Sequence, residues 1–180
     1  MKKKDVCYGS FALYIMADKA LIANDADTPM HLSMTVEPIE IFDYNNRDEF
    51  ISSVKKAITR GIPKVEMPPE EELYWDENGM PGLKNPPELK YARVKDWDEL
   101  ERRSVFYSVE CYDRGFVVIS CGRSKNGLWN DETALELRMP AEVGLEGVVD
   151  AILENLGTRS DLPGFSGSVA NFTWKNRDEF

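Results

Sequence analysis

The chain has 180 residues, 42% of them hydrophobic and 30% charged, which suits one ordinary globular domain and is short for two. Asp and Glu number 32 against 22 Lys and Arg, for a net charge of −10. That balance argues against direct binding of nucleic acid through phosphate contacts and against an anionic membrane surface, and it favours a cationic partner.

In chain order, Lys2, Lys3 and Lys4 precede the apolar run Phe11 to Ala17, in the manner of a signal peptide. Asp5 interrupts that pattern, Asp18-Lys19 follow the run at once, and no small-x-small site ends it, so a buried strand is expected. No stretch approaches the roughly 20 apolar residues of a membrane span. Lys19 to Ala23 continues as strand, and Asn24 to Pro29 reads as turn chemistry. Leu32, Met34 and Val36 then alternate with Ser33, Thr35 and Glu37, which predicts a half-buried strand bent or bulged at Pro38. Asn46 caps a helix with Glu49 at the third position, and Phe50, Ile51, Val54, Ala57 and Ile58 share one face. Gly61 and Pro63 end it.

Residues 62 to 90 hold six of the ten prolines, so little regular structure is expected over most of them. The stretch is either a functional loop or an ordered excursion across the surface. Glu66, Glu70, Glu71, Glu72, Asp76 and Glu77 lie there with no basic residue among them, and Tyr74 and Trp75 sit inside the run. Order resumes at Leu89 to Val94, and Asp96 caps a short helix, Trp97 to Arg103. Val105 to Tyr112 and Phe116 to Gly122 form a hairpin around a three-residue turn, Asp113-Arg114-Gly115. Pairing Tyr112 with Phe116 sets Cys111 against Val117 and Cys121 against Tyr107, with both thiols on one apolar face and too far apart for a disulfide. A turn at Asn126-Gly127, a strand Thr133 to Arg138 and a helix Ala141 to Leu156 follow, with Gly157 as the stop. Glu142, Glu146, Asp150 and Glu154 give that helix an acidic face, and 158 to 180 is a Gly-, Ser- and Asn-rich tail. The expected fold is one α+β domain over residues 1 to 180. It has an antiparallel sheet of five to six strands with two main helices, packed mainly on one face.

The chemistry-bearing residues are few. An odd set of three cysteines, Cys7, Cys111 and Cys121, with no C-x-x-C spacing suggests free thiols in a reducing cytosol and no zinc quartet. The single histidine, His31, rules out a two-imidazole metal site within one chain and reads as a strand-edge residue. Phosphate-binding glycine loops and the nucleophile elbow are missing, and neither cofactor nor metal is expected. Glu110 lies mid-strand in the hairpin and Glu136 in the next strand; they are either solvent-facing positions or, if those strands neighbour one another, the paired carboxylates of a hydrolase. The run Glu66, Glu70, Glu71, Glu72, Tyr74, Trp75, Asp76 and Glu77 is either a solvated loop or a docking surface, in which aromatic area adds to electrostatic steering.

Three segments carry a resemblance. Ser33-Met34-Thr35-Val36-Glu37-Pro38-Ile39-Glu40-Ile41-Phe42-Asp43-Tyr44 runs into the helix Arg47 to Arg60. Trp97-Asp98-Glu99-Leu100-Glu101-Arg102-Arg103 precedes the hairpin. Glu146-Gly147-Val148-Val149-Asp150-Ala151-Ile152-Leu153 lies in the last helix. Together, over residues 33 to 157, they resemble bacterial contact-dependent growth inhibition immunity proteins. The resemblance implies a small, cytoplasmic, non-catalytic protein that binds and neutralises a cognate toxin domain, commonly a basic nuclease, by covering its active site or substrate surface.

Overall fold

A computed structural model describes residues 6–30 and 33–159. The fold is α+β. Six antiparallel strands, β1 Cys7–Ile15, β2 Ala20–Asp27, β3 Ser33–Phe42, β6 Val105–Tyr112, β7 Gly115–Arg123 and β8 Trp129–Pro140, form one sheet in the order β3-β2-β1-β6-β7-β8. Helices α1 (Arg47–Arg60) and α4 (Gly144–Thr158) cover one face. Two short helices, α2 (Pro87–Ala92) and α3 (Trp97–Arg103), pack on the other, so the helices are not mainly on one face. The long connection between α1 and α2 holds a separate two-stranded piece, β4 (Leu73–Trp75) with β5 (Pro81–Leu83).

The apolar run near the N-terminus is the centre of the sheet. Phe11, Leu13 and Ile15 of β1 point into the core beneath α1 and α4, whereas Tyr14 and Met16 enter a second core beneath α2 and α3. A strand buried on both faces has no polar face to alternate with, which is why this segment reads as a continuous run. Asn46 Oδ1 accepts from the Glu49 amide at 3.3 Å and starts α1, and Asp96 Oδ1 accepts from the Glu99 amide at 2.8 Å and starts α3. The two long helices are joined at their surface, because Arg47 donates to both oxygens of Asp150 at 2.7 and 3.0 Å.

Three further expectations are corrected. Asn24 to Asp27 is not a turn but the end of β2. Buried Asn24 donates to the Ala57 carbonyl of α1 at 2.8 Å, so a turn-forming side chain is used to dock a helix. The hairpin pairs Tyr112 with Gly115 and Cys111 with Phe116, one residue from the expected register, around the two residues Asp113-Arg114. A slip of one residue reverses the faces. Cys111 is therefore in the main core, while Cys121 is buried outside it, and all three cysteines are free thiols. Gly157 does not stop the last helix, which runs to Thr158 and closes with the Arg159 amide donating to the Leu156 carbonyl. The stretch 62 to 90 has regular structure only in short pieces, as expected: a 3₁₀ turn at Glu70–Glu72, the β4–β5 pair and the start of α2. The bulge expected at Pro38 is present. Ile22 pairs with Glu40 and Asn24 with Val36, so β3 carries two extra residues there.

Glu40 of β3 is held by Arg60 and, at 3.3 Å, by Lys56, both from α1. Burial disfavours its charge, but the bonds and charges of the two cations outweigh that and hold the carboxyl below its ordinary value. A depressed native value lends stability above the unfolded value, about 4.3, that is lost as pH falls through the native one. Glu40→Gln should therefore lower stability by about 1 kcal/mol at neutral pH. The deficit should close in acid, as measured by urea unfolding at both pH values; an equal deficit at each would contradict this account.

Candidate functional site

The second face of the sheet changes character along its strands. At one end Tyr14, Phe106 and Trp129 form an aromatic cluster, with ring centroids 4.8 to 6.0 Å apart, beside Leu100 of α3. At the other end the same face presents Ser10, Asp25, Glu110 and Tyr112, whose positions follow from the pairings Ser10 with Glu110 and Cys7 with Tyr112. The helices α2 and α3 have six and seven residues, so they cover the apolar end and leave the acidic end open. Two cavities lie along this face and share Asp25 as a wall. One, of about 350 Å³, also touches Tyr14, Thr35, Tyr74, Glu88 and Trp97. The other, of about 440 Å³, touches Cys7, Asp27, Lys64, Glu110 and Tyr112.

Of the eight residues expected to bind a partner, Tyr74 lines the first of these cavities, and the others lie elsewhere along the connection between α1 and α2. Glu66 lies beside Lys64 at the wall of a smaller recess. Glu70, Glu71 and Glu72 make the exposed 3₁₀ turn, where Lys84 Nζ donates to the Glu71 carbonyl at 2.8 Å. The run thus has a basic neighbour that its sequence alone lacks. Tyr74 and Trp75 of β4 are 45% and 51% exposed on opposite faces of the small hairpin, and Met80 at its turn is 50% exposed. Tyr74 lies over Gly82, where an added Cβ would come within 2.5 Å of its ring, so the glycine seats the tyrosine at the cavity mouth. Asp76 holds the hairpin turn together, because its Oδ1 accepts from the Asn78 and Met80 amides at 2.9 and 2.8 Å. Glu77 is exposed in that turn. The acidic face of α4 is partly occupied, since Arg47 engages Asp150 and lies 3.7 Å from Glu146.

Glu110 and Glu136 are on the same face but do not converge. Val117 lies between Glu110 and Arg138, and Ile119 between Ser108 and Glu136. The two glutamates are two strands apart and offset by two residues, about 10 Å across and about 7 Å along the strands. Glu110 accepts from the Tyr112 hydroxyl at 2.6 Å, which pushes the tyrosine well up, and Glu136 accepts from Arg138 at 2.5 Å.

The residue that sequence reasoning missed is Glu88. It is 2% exposed on α2, and its Oε1 accepts from the Thr35 hydroxyl. Its other oxygen is buried as well, and the Tyr14 hydroxyl bonds to the same carboxyl. Burial pushes its carboxyl up, the bonds from Thr35 and Tyr14 offset part of that, and the charge of Asp25 adds to the rise. Burial likewise pushes the Tyr14 hydroxyl well up, helped by the charge of Glu88. The signals for Asp25 and Asp27 were in the sequence as a period-2 pattern with Ala26, hidden under residues that favour turns. Nothing in Pro-Pro-Glu-Leu marks Glu88 as buried. Burial also raises the Cys111 thiol to about 12, which leaves it an unreactive core residue. No group of three or more metal-ligating side chains occurs among the described residues, and no described helix is long and apolar enough to cross a membrane. His31 and the tail from 160 lie outside the described residues.

A raised native value means that Glu88 lends stability below its unfolded value, about 4.3, and loses it as pH rises through the native one. Glu88→Gln keeps the acceptor for Thr35 and removes the buried charge. The variant should be more stable than the parent by about 1 kcal/mol at neutral pH. That advantage should shrink towards pH 4, as read from thermal or urea unfolding. A variant less stable than the parent at neutral pH would overturn the assignment.

No family description matches the chain, and no curated protein matches it. Among solved structures, the chain is similar to a protein of unknown function, NMB0488, from Neisseria meningitidis, with 11% identity and a TM-score of 0.46 over 83% of this chain and 96% of that one.

Proposed function

We propose that the protein is a non-catalytic inhibitor, an immunity protein that binds and neutralises a basic toxin domain in the cytoplasm, with no direct contact to nucleic acid or membrane. The observation that carries this reading is the acidic trough on the second sheet face, with an exposed aromatic hairpin at its mouth. Carboxylates that face solvent together raise the local concentration of a cationic protein and speed its encounter. Tyr74, Trp75 and Met80 then supply the large, desolvating contacts that hold it. A nuclease domain must present Lys and Arg to phosphates, so its substrate groove is the complementary surface. The charge of −10 and the resemblance of residues 33 to 157 to growth-inhibition immunity proteins agree with this reading.

The test is binding to the toxin domain encoded next to this chain. A complex should form at micromolar concentration in low salt. Reversing Glu70, Glu71 and Glu72 to Lys should slow association by about tenfold at low salt, and the effect should fade at high salt. Trp75→Ala should weaken affinity by about tenfold or more, mainly through faster dissociation. Absence of binding at low salt sinks the proposal. Binding that ignores both sets of substitutions sinks the assignment of the surface.

A further inference from the structure

The two edges of the sheet differ. β3 ends one side with a bulge at Pro38, whereas β8 ends the other with a regular ladder from Leu135, opposite Ser120, to Met139, opposite Phe116. This stretch of β8 contains no proline, no lysine and no bulge, the usual means of blunting an exposed edge, and no described strand pairs with its outer side. Its two faces are cleanly divided. Leu137 and Met139 enter the main core, and Leu135 on the same face is half-buried. On the other face Glu136 and Arg138 are 44% and 45% exposed, with Arg138 donating to Glu136 at 2.5 Å. The regular stretch has a limit at each end. Pro140 has no N–H to offer, and Gly122 pairs with Asn130, so the residues of β8 between Asn130 and Leu135 stand against Cys121 alone.

We propose that this edge pairs antiparallel with the same edge of a second copy of the chain, about a two-fold axis through Leu137. Antiparallel pairing of two identical strands about an axis normal to the sheet sets one residue opposite itself and keeps like faces together. With the axis at Glu136, two carboxylates meet; with the axis at Arg138, two guanidiniums meet. An axis at Leu135 or Met139 runs the pairing into the bulge or past Pro140. The axis at Leu137 alone uses the whole regular stretch and nothing beyond it. Glu136 of each copy then faces Arg138 of the other, and Leu135 of each faces Met139 of the other, which covers the half-exposed leucine. Unlike charges directly opposed across strands stabilise the pair and like charges destabilise it, so the charge pattern selects this register. The seam is short and buries well under the roughly 1,200 Å² of a stable interface, so the dimer is weak, with a Kd on the order of 100 μM. The inference stands apart from the inhibitor reading and uses a different surface.

The test is sedimentation velocity of the full chain from about 10 μM to about 1 mM, a range that brackets the expected affinity. A monomer–dimer equilibrium should appear. Glu136→Arg and Arg138→Glu should each weaken it at least tenfold, because each sets like charges opposite one another. An equimolar mixture of these two variants should dimerise again, and so should the double exchange Glu136→Arg with Arg138→Glu. Restoration of that kind is a readout that a folding defect cannot produce. Each copy carries a charge of −10, so salt raised to roughly 0.15 M should strengthen the dimer by screening that repulsion, whereas it slows encounter with a cationic toxin. A chain that stays monomeric at the highest concentration overturns the proposal. So does self-association that ignores both single substitutions or that mixing fails to restore. A full chain that is monomeric, and dimerises only once residues 160–180 are removed, gives the edge to the chain's own tail. A monomer whose toxin binding is weakened by both single substitutions gives it to the toxin. Either result overturns the assignment to a second copy. Dimerisation without toxin binding leaves this inference standing and removes only the inhibitor reading.

Discussion

Coverage of the sheet's second face is the constraint from which the rest follows. On the first face, two long helices supply enough apolar side chains to bury every strand they cross, from Phe42 to Met139. On the second, the chain between β3 and β6 supplies only one and a half turns at α2 and about two at α3. Those turns reach as far as Ala12 on β1 and Ala23 on β2. Beyond that limit the same strands must present polar side chains, and they do: Ser10 follows Ala12, Asp25 follows Ala23, and Glu110 follows Ser108 on one face. The trough is the part of a sheet face that its own helices are too short to cover.

Glu88 stands on that boundary. A helix that begins with prolines has few options for its first turn, and its second residue points back towards the sheet with Thr35 beneath it. An apolar residue there would simply extend the second core. A carboxylate breaks it, and the protein carries a destabilising charge at the place where buried and open regions meet. Costs of this kind are common where binding, rather than packing, decides the residue.

Much of the fold was legible in the sequence, and the failures have separate physical causes. Asn46 and Asp96 marked α1 and α3 because a cap is a local interaction between a side chain and amides two or three residues on. Pro38 marked the bulge because its ring acts on its own backbone. The end of β2 was hidden because Asn24 and Asp25 satisfy their polar groups through α1 and Ser10, partners that no local rule can see. The hairpin register failed by one residue at a turn where Gly115 was given to the loop and belongs to the strand. That one residue was enough to move Cys121 from the core face. Of the site, the exposed aromatics and glutamates were legible as composition. The cavity was not, since its walls come from β1, β2, β3, β4, β5, β6, α2 and α3 and meet only in the folded chain.

Because β3 is the outermost strand, its bulge also decides how the sheet ends on that side. An exposed edge is a template on which a further strand can add by backbone pairing alone. Here the ladder is out of step between Val36 and Glu40, and Pro38 within that gap has no N–H to offer. A strand from another copy would find two short, misaligned stretches of pairing instead of one continuous row. Self-association by edge extension is thereby discouraged on this side, and contacts with other chains fall to side chains on the faces, where charge and shape can tell one partner from another.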